Sequence, residues 1–600
     1  MESLPGTLGL DEPLTIVLPQ THVHELLGAA RHLQEWVLSR LAAHWPITAS
    51  PAAAVPGAGR VLLLVDSSMG NREGYELRVA PEGITIRGAS PAGVFYGLQT
   101  LGQLLRQSRG QLPCLMIQDH PDFPARGVML DISRDKVPSM QTLLDLVDLL
   151  ASWKINQLQL YMEHTFAYSR HREVWATASP MTAGEVLELD AYCRDRFIEL
   201  VPNQNSFGHM ERWLNHPRYK PLAEAPDGSD TPWDSRWPGP FSLCPTDPKS
   251  LELLGGLYDE LLPNFTSRLL NVGCDETFDI GQGRSKAQCE GVGKHRVYLD
   301  FLRKLHGLVE QRGRRMMFWG DIIIHQPELI AELPKNLIAL EWGYEANHPF
   351  DRDGGLFAQA SVPFYVCPGT SSWCSIAGRT DNCLANLKSA AVNGLKHGAI
   401  GYLITDWGDH GHMQYLPISY PGFAAGAAYS WCLETNADLP IAQALDTHAF
   451  LDTSGVMGQL VMDLGNVYRQ LPLVGNASGL FRILCKLPGK PEMVDTTFDH
   501  LDAATAAIDA AIKPLTLATM HRPDAELIVD ELRNTAAALH HACARGRWLL
   551  DPSNVNPLTL RADILSIIGE HDRLWLARNR IGGLAESRAK LTKLLLEYAQ

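Results

Sequence analysis

The stretch LLNVGCDETFDIGQGRS, residues 269–285, decides how the rest of the chain is interpreted. Its apolar run ends at Gly273, and two adjacent carboxylates, Asp275 and Glu276, follow shortly after. A glycine-containing loop with one basic residue, Arg284, comes next. A buried strand that ends in acids and a glycine-rich loop is typical of the catalytic rim of a parallel α/β barrel. An Asp-Glu pair alone is as often a solvated strand end or a helix cap, so the surrounding sequence has to decide.

The composition is that of an ordinary globular protein with several domains. A chain of 600 residues is too long for one hydrophobic core, so two to four domains are expected. Hydrophobic residues make up 45% and charged residues 20% of the chain, which is usual for folded proteins. With 52 basic and 67 acidic residues the formal charge is −15. This charge argues against binding to nucleic acid or to an anionic membrane.

Targeting features point to the cytoplasm. The N-terminal MESLPGTLGLDEP has neither the basic nor the apolar region of a secretion signal. No apolar run approaches the roughly 18 residues that a membrane span needs. The eleven cysteines are scattered and form no CxxC pair, as expected for reduced thiols. We therefore expect a cytoplasmic protein without a membrane partner.

Residues 1–122 are predicted to form a small non-catalytic α+β domain. Residues 12–18 and 61–66 have the composition of strands, and a helix is predicted near 24–43. Residues 74–107 are predicted to form two strands, from the alternation of Tyr75, Leu77 and Val79 and then of Ile84 and Ile86, followed by an amphipathic helix. The segment HELLGAARH superficially resembles a zinc-binding helix, but its second histidine, His32, lies eight residues after His24. Because this spacing does not match HExxH, no metal site is expected here.

Residues 123–438 are predicted to form a (β/α)8 barrel. Eight strand candidates lie at residues 126–133, 156–162, 198–206, 267–276, 314–321, 337–344, 362–369 and 398–409. Most gaps contain a segment of helical period, at residues 140–152, 183–196, 249–262, 296–312 and 383–394. Strands that alternate with helices favour a parallel sheet, and eight such units favour a closed barrel over an open sheet.

The carboxyl ends of these strands carry the chemistry. Acids, histidines and tryptophans concentrate there, and in a barrel these ends meet at one mouth. Trp319, Trp342 and Trp407 follow three of the strands, and Trp373 lies in the loop after the seventh. Pyranose rings stack on indole while acids and arginine hold hydroxyl groups. The pattern therefore predicts a sugar site.

Residues 439–600 are predicted to be α-helical. Helical segments are expected at residues 441–451, 454–469, 498–512 and 525–547, with one or two long amphipathic helices at 557–597. We expect this region to be structural or to form a homodimer.

The paired acids do not suit the ordinary two-carboxylate mechanism. Retaining glycosidases usually place two carboxylates on separate strands, about 5 Å apart. Adjacent residues of an extended chain point to opposite sides, so Asp275 and Glu276 are not expected to be such a facing pair. They make better sense if one donates a proton and the other binds a neighbouring group of the substrate.

The chain resembles glycoside hydrolase family 20, the β-N-acetylhexosaminidases, over essentially its full length. The resemblance rests on PxxPARGVMLDISRD (121–135), NSFGHMERW (205–213), GCDET (273–277), FWGD (318–321) and DWGD (406–409). The helical tail resembles the bacterial subgroup with a C-terminal domain. The resemblance implies a barrel behind a zincin-like, metal-free N-terminal domain. It also implies an exo-acting, retaining enzyme that removes terminal β-linked GlcNAc without a cofactor or metal, by substrate-assisted catalysis.

The resemblance also implies roles for individual residues. Glu276 would be the general acid and then the base, and Asp275 would orient the substrate's acetamido group. Arg126 would hold the outer hydroxyls, and His209 would support the acid. The remaining expected substrate-binding residues are Glu163, Trp319, Trp342, Tyr365, Trp373, Trp407 and Asp409.

Two departures leave the sugar preference open. The family's HWHxxDD stretch is replaced by YMEHTFAYSRH at residues 161–171, and Cys367 stands where an acid is expected. A GalNAc-preferring hexosaminidase remains an alternative, as does a carbohydrate-binding barrel that has lost activity.

Overall fold

The computed structural model describes residues 1–51, 58–108, 110–233 and 235–599. These residues form an N-terminal α/β sheet region, a closed barrel and a helical C-terminal region. Within the described residues, no helix combines the length and apolarity that crossing a bilayer requires.

The N-terminal region is built on a seven-stranded mixed sheet, which confirms the predicted α+β class. Its strands are β1 (Glu2–Gly9), β2 (Thr15–Pro19), β3 (Ile47–Ser50), β4 (Arg60–Val65), β5 (Tyr75–Ala80), β6 (Gly83–Gly88) and β7 (Gln111–Asp119). Its helices are α1 (Val23–Leu41) and α2 (Pro91–Gln107). Helix α2 begins where Ser90 caps it and Pro91 occupies its first turn. Strands β1, β3 and β7 were not predicted.

The central region is a closed barrel of eight parallel strands, as predicted. The strands are β8 (Ala125–Asp131), β9 (Gln157–Met162), β10 (Glu199–Gln204), β13 (Leu269–Asn271), β14 (Arg315–Trp319), β15 (Ile338–Trp342), β16 (Phe364–Cys367) and β17 (Gly401–Asp406). A small hairpin, β11 (Ser229–Asp230) and β12 (Arg236–Trp237), extends from the loop after β10.

Helices surround the barrel and connect successive strands. They are α3 (Met140–Ser152), α4 (Arg172–Trp175), α5 (Ala183–Arg194), α6 (Glu211–Leu214), α7 (Pro248–Leu261), α8 (Lys286–Val292), α9 (Lys294–Glu310), α10 (Asp321–Ile324), α11 (Pro327–Ile330), α12 (Phe350–Gln359), α13 (Thr380–His397) and α14 (Tyr420–Trp431). Ser139 caps α3, and the buried Leu143, Leu146 and Leu150 recur at helical spacing along the face that packs on the barrel.

The C-terminal region is helical, as predicted. Its helices are α15 (Leu433–Asn436), α16 (Ile441–Leu445), α17 (Met457–Leu464), α18 (Gly479–Cys485), α19 (Phe498–Ile512), α20 (Ala525–Leu550), α21 (Pro557–Arg578), α22 (Leu584–Thr592) and α23 (Leu594–Glu597). The predicted segment 557–597 breaks after α21, where Gly583 adopts φ +78°. A Cβ on Gly583 would lie 1.8 Å from the Asp135 carbonyl oxygen, so the break brings the tail against the loop after β8. The domain limits at residues 122 and 438 stay predictions.

Arg126 does not lie at the mouth of the barrel. It is the second residue of β8, so it lies at the amino ends of the strands, and its side chain is buried. Its Nη1 donates to Glu73 Oε2 at 2.7 Å and to the Phe123 carbonyl, and its guanidinium lies 4.9 Å from the Trp431 ring centroid. Arg126 therefore ties the N-terminal region to the base of the barrel. The expectation that it holds substrate hydroxyls is wrong, because only the carboxyl ends of the strands meet at the mouth.

Replacing Arg126 with Leu should lower the free energy of unfolding by about 3 kcal/mol, because the substitution leaves Glu73 and buried carbonyls without their donor. Urea unfolding followed by tryptophan fluorescence measures this loss. Arg87→Leu is the matched control, since Arg87 is 45% exposed and lies 3.7 Å from Asp66; it should cost less than about 0.5 kcal/mol. Equal losses in the two variants would contradict the assigned role.

Candidate active site

The loop after β13 turns the two adjacent acids into the mouth of the barrel. Gly273 has φ +69°, and a Cβ there would lie 2.1 Å from Asn205 Oδ1, so no other residue fits. Cys274 and Glu276 also have positive φ, at 72° and 51°. Such values are strained for residues other than glycine and concentrate at functional sites. Because the backbone is kinked rather than extended here, Asp275 and Glu276 both approach the same histidine.

That histidine is His209, which follows β10. Its Nε2 lies 3.2 Å from Asp275 Oδ2 and 3.4 Å from Glu276 Oε2. Burial alone would lower the pKa of His209, but the charge of Asp275 and contacts to both carboxylates raise it well above its ordinary value. Burial alone would raise the pKa of Asp275, but His209 holds it below the ordinary value. The result is a buried His209–Asp275 ion pair beside Glu276, whose side chain is 32% exposed.

Asp321 is a third acid of this cluster that sequence reasoning did not select. Its Oδ2 accepts a hydrogen bond from the Glu276 backbone N–H at 3.0 Å. Burial and the neighbouring charge of Asp275 raise the pKa of Asp321 well above its ordinary value. Asp321 is therefore an acceptor that supports the kinked backbone of Glu276, and its surroundings favour the protonated form. In the sequence, Asp321 could have been selected because it directly follows the FWG at the carboxyl end of β14, where site residues are expected.

Arg134, rather than Arg126, is the arginine of the mouth. Its Nη1 lies 3.1 Å from Asp131 Oδ2, and its Nε lies 3.4 Å from Asp409 Oδ1. Its Nη2 lies 3.5 Å from Glu163 Oε1 and 3.3 Å from His209 Nδ1. Arg134 therefore joins the ends of four strands, β8, β9, β10 and β17. Its place three residues after the last residue of β8 was the signal that sequence reasoning passed over.

Two further predicted residues, Glu163 and Asp409, lie against this arginine. Glu163 is buried and accepts a hydrogen bond from the Tyr161 hydroxyl at 2.9 Å. Burial raises the pKa of Glu163 to about 7, although Arg134 opposes the shift. Burial likewise raises the pKa of Asp409 to about 6. An arginine between two carboxyl groups offers the donors and acceptors that bind sugar hydroxyls.

A group of aromatic rings lies beside Arg134 at the mouth. The rings of Trp319 and Trp407 lie 5.9 Å apart, and Trp407 Nε1 donates to the Tyr344 hydroxyl at 2.7 Å. Trp342 stacks on Tyr344 at 5.0 Å, and Trp373 meets the edge of Tyr344 at the same distance. Three of the predicted tryptophans thus contact Tyr344, and the fourth, Trp319, contacts Trp407. This tyrosine, two residues after β15, was missed by sequence reasoning.

Tyr365 does not belong to this group. It pairs with Gly401, the first residue of β17, and a Cβ on that glycine would lie 2.5 Å from the Tyr365 ring. Burial raises the pKa of Tyr365, and its hydroxyl interacts with Gln157 at the start of β9. Tyr365 therefore fills the lower part of the barrel, and its expected role in binding the acetamido oxygen is wrong. Tyr344 is instead the tyrosine that contacts the tryptophans of the mouth.

One group of potential metal ligands lies outside the mouth. Within the described residues, ligand atoms of Glu341, His348 and Asp353 lie within 4.8 Å of one another. His348 Nε2 contacts Glu341 Oε1 at 2.6 Å, and Arg352 binds both carboxylate oxygens of Asp353. These residues therefore form an ion-pair network behind β15, and their mutual contacts explain why they lie close together.

The site as a whole defines the class of protein. A buried ionised carboxylate, an adjacent acid open to solvent, an arginine between carboxyl groups and a wall of tryptophans occupy the mouth of a (β/α)8 barrel. These are the parts of a glycosidase site.

The comparisons with known proteins agree. Residues 1–120 match the family model described as glycosyl hydrolase family 20, domain 2, and residues 123–354 match the model described as glycosyl hydrolase family 20, catalytic domain. The chain belongs to glycosyl hydrolase family 20.

Its relatives are distant. A β-hexosaminidase of Akkermansia muciniphila is 27% identical over 286 residues, which cover 42% of this chain and 57% of that protein. A lacto-N-biosidase of Bifidobacterium bifidum is 26% identical over 310 residues, which cover 49% of this chain and 26% of that protein. The matches thus span less than two thirds of these relatives' length, 57% and 26%. The structure of a Flavobacterium johnsoniae chitobiase covers 99% of this chain and 97% of its own, with a TM-score of 0.62 and 18% identity.

Replacing Asp321 with Leu should lower kcat/KM about 10- to 100-fold, because the Glu276 N–H loses its acceptor in a buried setting. Asp321→Asn keeps a neutral acceptor and should lose less than about threefold. Hydrolysis of 4-nitrophenyl N-acetyl-β-glucosaminide, the substrate that the family implies, measures both. If Asn proved as damaging as Leu, the carboxyl group would act through its charge rather than as an acceptor.

Glu163 should make the protein less stable as the pH rises. Its pKa is about 7 in the folded protein against 4.5 ordinarily, so its stabilising contribution is complete below about 4.5 and is lost as the pH rises through 7. The free energy of unfolding is measured in urea at pH 5 and at pH 8 for both proteins. The decrease between the two pH values should be about 2 kcal/mol smaller in Glu163→Gln than in the unmodified protein. An unchanged pH dependence in the variant would show that Glu163 is ionised throughout.

Proposed function

We propose that this protein is an exo-acting, retaining β-N-acetylhexosaminidase that removes terminal β-linked GlcNAc from oligosaccharides or glycoconjugates. The observation that carries the proposal is the different surroundings of two adjacent acids. Asp275 is buried and held ionised by His209, whereas Glu276 is partly open to solvent. One acid is suited to binding a positively polarised group, and its neighbour to exchanging protons with the leaving group and water.

The proposed reaction follows from the different surroundings of Asp275 and Glu276. The carbonyl oxygen of the substrate's own acetamido group attacks the anomeric carbon while Glu276 donates its proton to the glycosidic oxygen, and the C–O bond to the leaving group breaks. Asp275 accepts a hydrogen bond from the acetamido N–H and stabilises the positive charge of the oxazolinium ring that forms. Glu276, now ionised, removes a proton from water as the water oxygen adds to the anomeric carbon and the ring opens. Two displacements at the same carbon return the β configuration.

The rest of the mouth would hold the sugar in place. Arg134 and Asp409 are assigned to the outer hydroxyls, where a planar guanidinium suits a pair of vicinal hydroxyl groups. Trp319, Trp407 and Tyr344 would enclose the acetamido group and the apolar sugar face. The axial or equatorial position of the 4-hydroxyl would be sensed at Arg134, so a GalNAc preference on the same machinery is the second candidate.

The leaving group is proposed to be a saccharide. The activities for which the relatives are named, those of a lacto-N-biosidase, β-hexosaminidases and a chitobiase, support this class. A cytoplasmic location and a homodimer formed through the helical tail stay predictions from the sequence.

Replacing Glu276 with Gln should lower kcat on a disaccharide at least about 100-fold, because an amide cannot donate the proton that the leaving oxygen needs. Asp275→Asn should lower kcat about 100- to 1,000-fold, because the charge that stabilises the oxazolinium ring is lost. Initial rates on GlcNAc and GalNAc disaccharides measure both effects and rank the two sugars.

The variants need a control for folding. A GlcNAc-thiazoline inhibitor should still bind Glu276→Gln, as measured by calorimetry, since it does not require proton transfer. Full turnover by this variant would refute the catalytic assignment, and binding of GlcNAc without turnover by the unmodified protein would favour the inactive carbohydrate-binding barrel.

A further inference from the structure

A ridge of four aromatic rings runs from the catalytic mouth to the protein surface. It consists of Trp233, Trp237, Phe241 and Phe278, and we refer to it as the aromatic ridge. Phe241 stacks on Phe278 with ring centroids 4.5 Å apart, and Trp237 meets the edge of Phe241 at 5.2 Å. Trp233 meets the edge of Phe278 at 5.8 Å. The four rings therefore form one continuous chain of ring contacts, which ends at the exposed Trp233.

The inner end of the aromatic ridge touches the catalytic group. Phe241 is buried, and its ring lies 4.7 Å from the ring of His209. Phe278 is two residues after Glu276, and its backbone N–H donates to the Glu276 carbonyl oxygen at 2.7 Å. The aromatic ridge thus begins on the same side of the mouth as the proposed general acid.

The outer end is open to solvent. Trp233 is 45% exposed, and it is the most exposed tryptophan of the described residues. Burying a large apolar side chain is worth roughly 1.5–3 kcal/mol, so the exposed ring of Trp233 offers apolar area that a ligand can cover.

The segment that carries Trp233 is held in place. The Thr231 N–H donates to the Ser235 carbonyl oxygen at 2.8 Å, across the tip of the β11–β12 hairpin. The side chain of Gln282 accepts from the Asp230 N–H at 2.8 Å and donates to the Asp230 carbonyl at 2.9 Å. The hairpin is thereby bonded to the loop that follows the catalytic acids. Trp233 is presented by a supported turn.

The neighbouring arginine is occupied elsewhere. Arg284 Nη2 binds Asp247 Oδ2 at 2.6 Å, and its Nη1 binds the Pro221 carbonyl oxygen. Arg284 therefore braces two loops, and a ligand at the aromatic ridge would meet rings rather than this charge. An apolar face of this kind suits the C–H face of a pyranose.

We infer that the aromatic ridge, with Trp233 as its exposed ring, binds the first sugar of the leaving saccharide. This inference rests on the proposed function, because the general acid protonates the glycosidic oxygen and the leaving group must therefore depart on the Glu276 side. The aromatic ridge lies on the Glu276 side of the mouth, where its inner rings are next to the proposed general acid and His209. It makes the protein selective for substrates whose leaving group is itself a sugar ring.

The test compares two substrates that share the GlcNAc unit. N,N′-diacetylchitobiose has a sugar as its leaving group, and 2-acetamido-2-deoxy-β-glucopyranosyl azide has a leaving group without a ring. In Trp233→Ala the ratio of kcat/KM for the disaccharide to kcat/KM for the azide should fall about five- to tenfold, mainly through KM of the disaccharide. Trp233→Phe, which keeps a ring, should recover most of the ratio.

A matched control comes from the C-terminal region. Phe498 at the start of α19 is 39% exposed and lies in the helical region, so Phe498→Ala should leave the ratio unchanged. An unchanged ratio in Trp233→Ala would overturn the inference, as would turnover of the azide without turnover of the disaccharide by the unmodified protein. Turnover of neither substrate would refute the proposed function, and the role of the aromatic ridge with it.

Discussion

The ionised carboxylate of Asp275 lies almost out of solvent, and the groups around it compensate this charge. His209 provides the opposite charge at 3.2 Å, which is why the pKa of the histidine rises and that of the acid falls. Burial beside the same charge raises the pKa of Asp321 instead. The pKa values of these two acids thus shift in opposite directions, because only Asp275 faces the histidine.

The backbone that carries these acids depends on close packing at Gly273. Asn205 fills the space that a side chain would need there, and the strained φ values of Cys274 and Glu276 follow in the next residues. Strain of this kind persists only when surrounding contacts hold it. Here the contacts are the Asp321 acceptor and the Asn205 amide, which donates to Asp275 Oδ1.

Arg134 connects the other half of the mouth. The same guanidinium meets carboxyl groups from the ends of β8, β9 and β17, and it lies over the rings of Tyr161 and Trp407 at about 5 Å. The loops after these strands have no common sequence motif, so their convergence depends on closure of the barrel. This one shared cation thus contacts three carboxyl groups and the ring of Trp407.

The amino-acid sequence by itself determined the barrel, the flanking regions and the strand ends that carry acidic, histidine and tryptophan residues. It could do so because the period of hydrophobic residues and the positions of glycines in turns are local properties. Only the tertiary structure decided between Arg126 and Arg134, and between Tyr365 and Tyr344. Arg126 and Arg134 belong to β8 and the loop after it, whereas Tyr365 lies within β16 and Tyr344 follows β15. In both cases the position relative to the end of the strand determines which residue reaches the mouth. The adjacency of Asp275 and Glu276 was visible in the sequence. Their shared approach to His209 was not, because it arises from a kinked backbone that non-local packing against Asn205 holds in place.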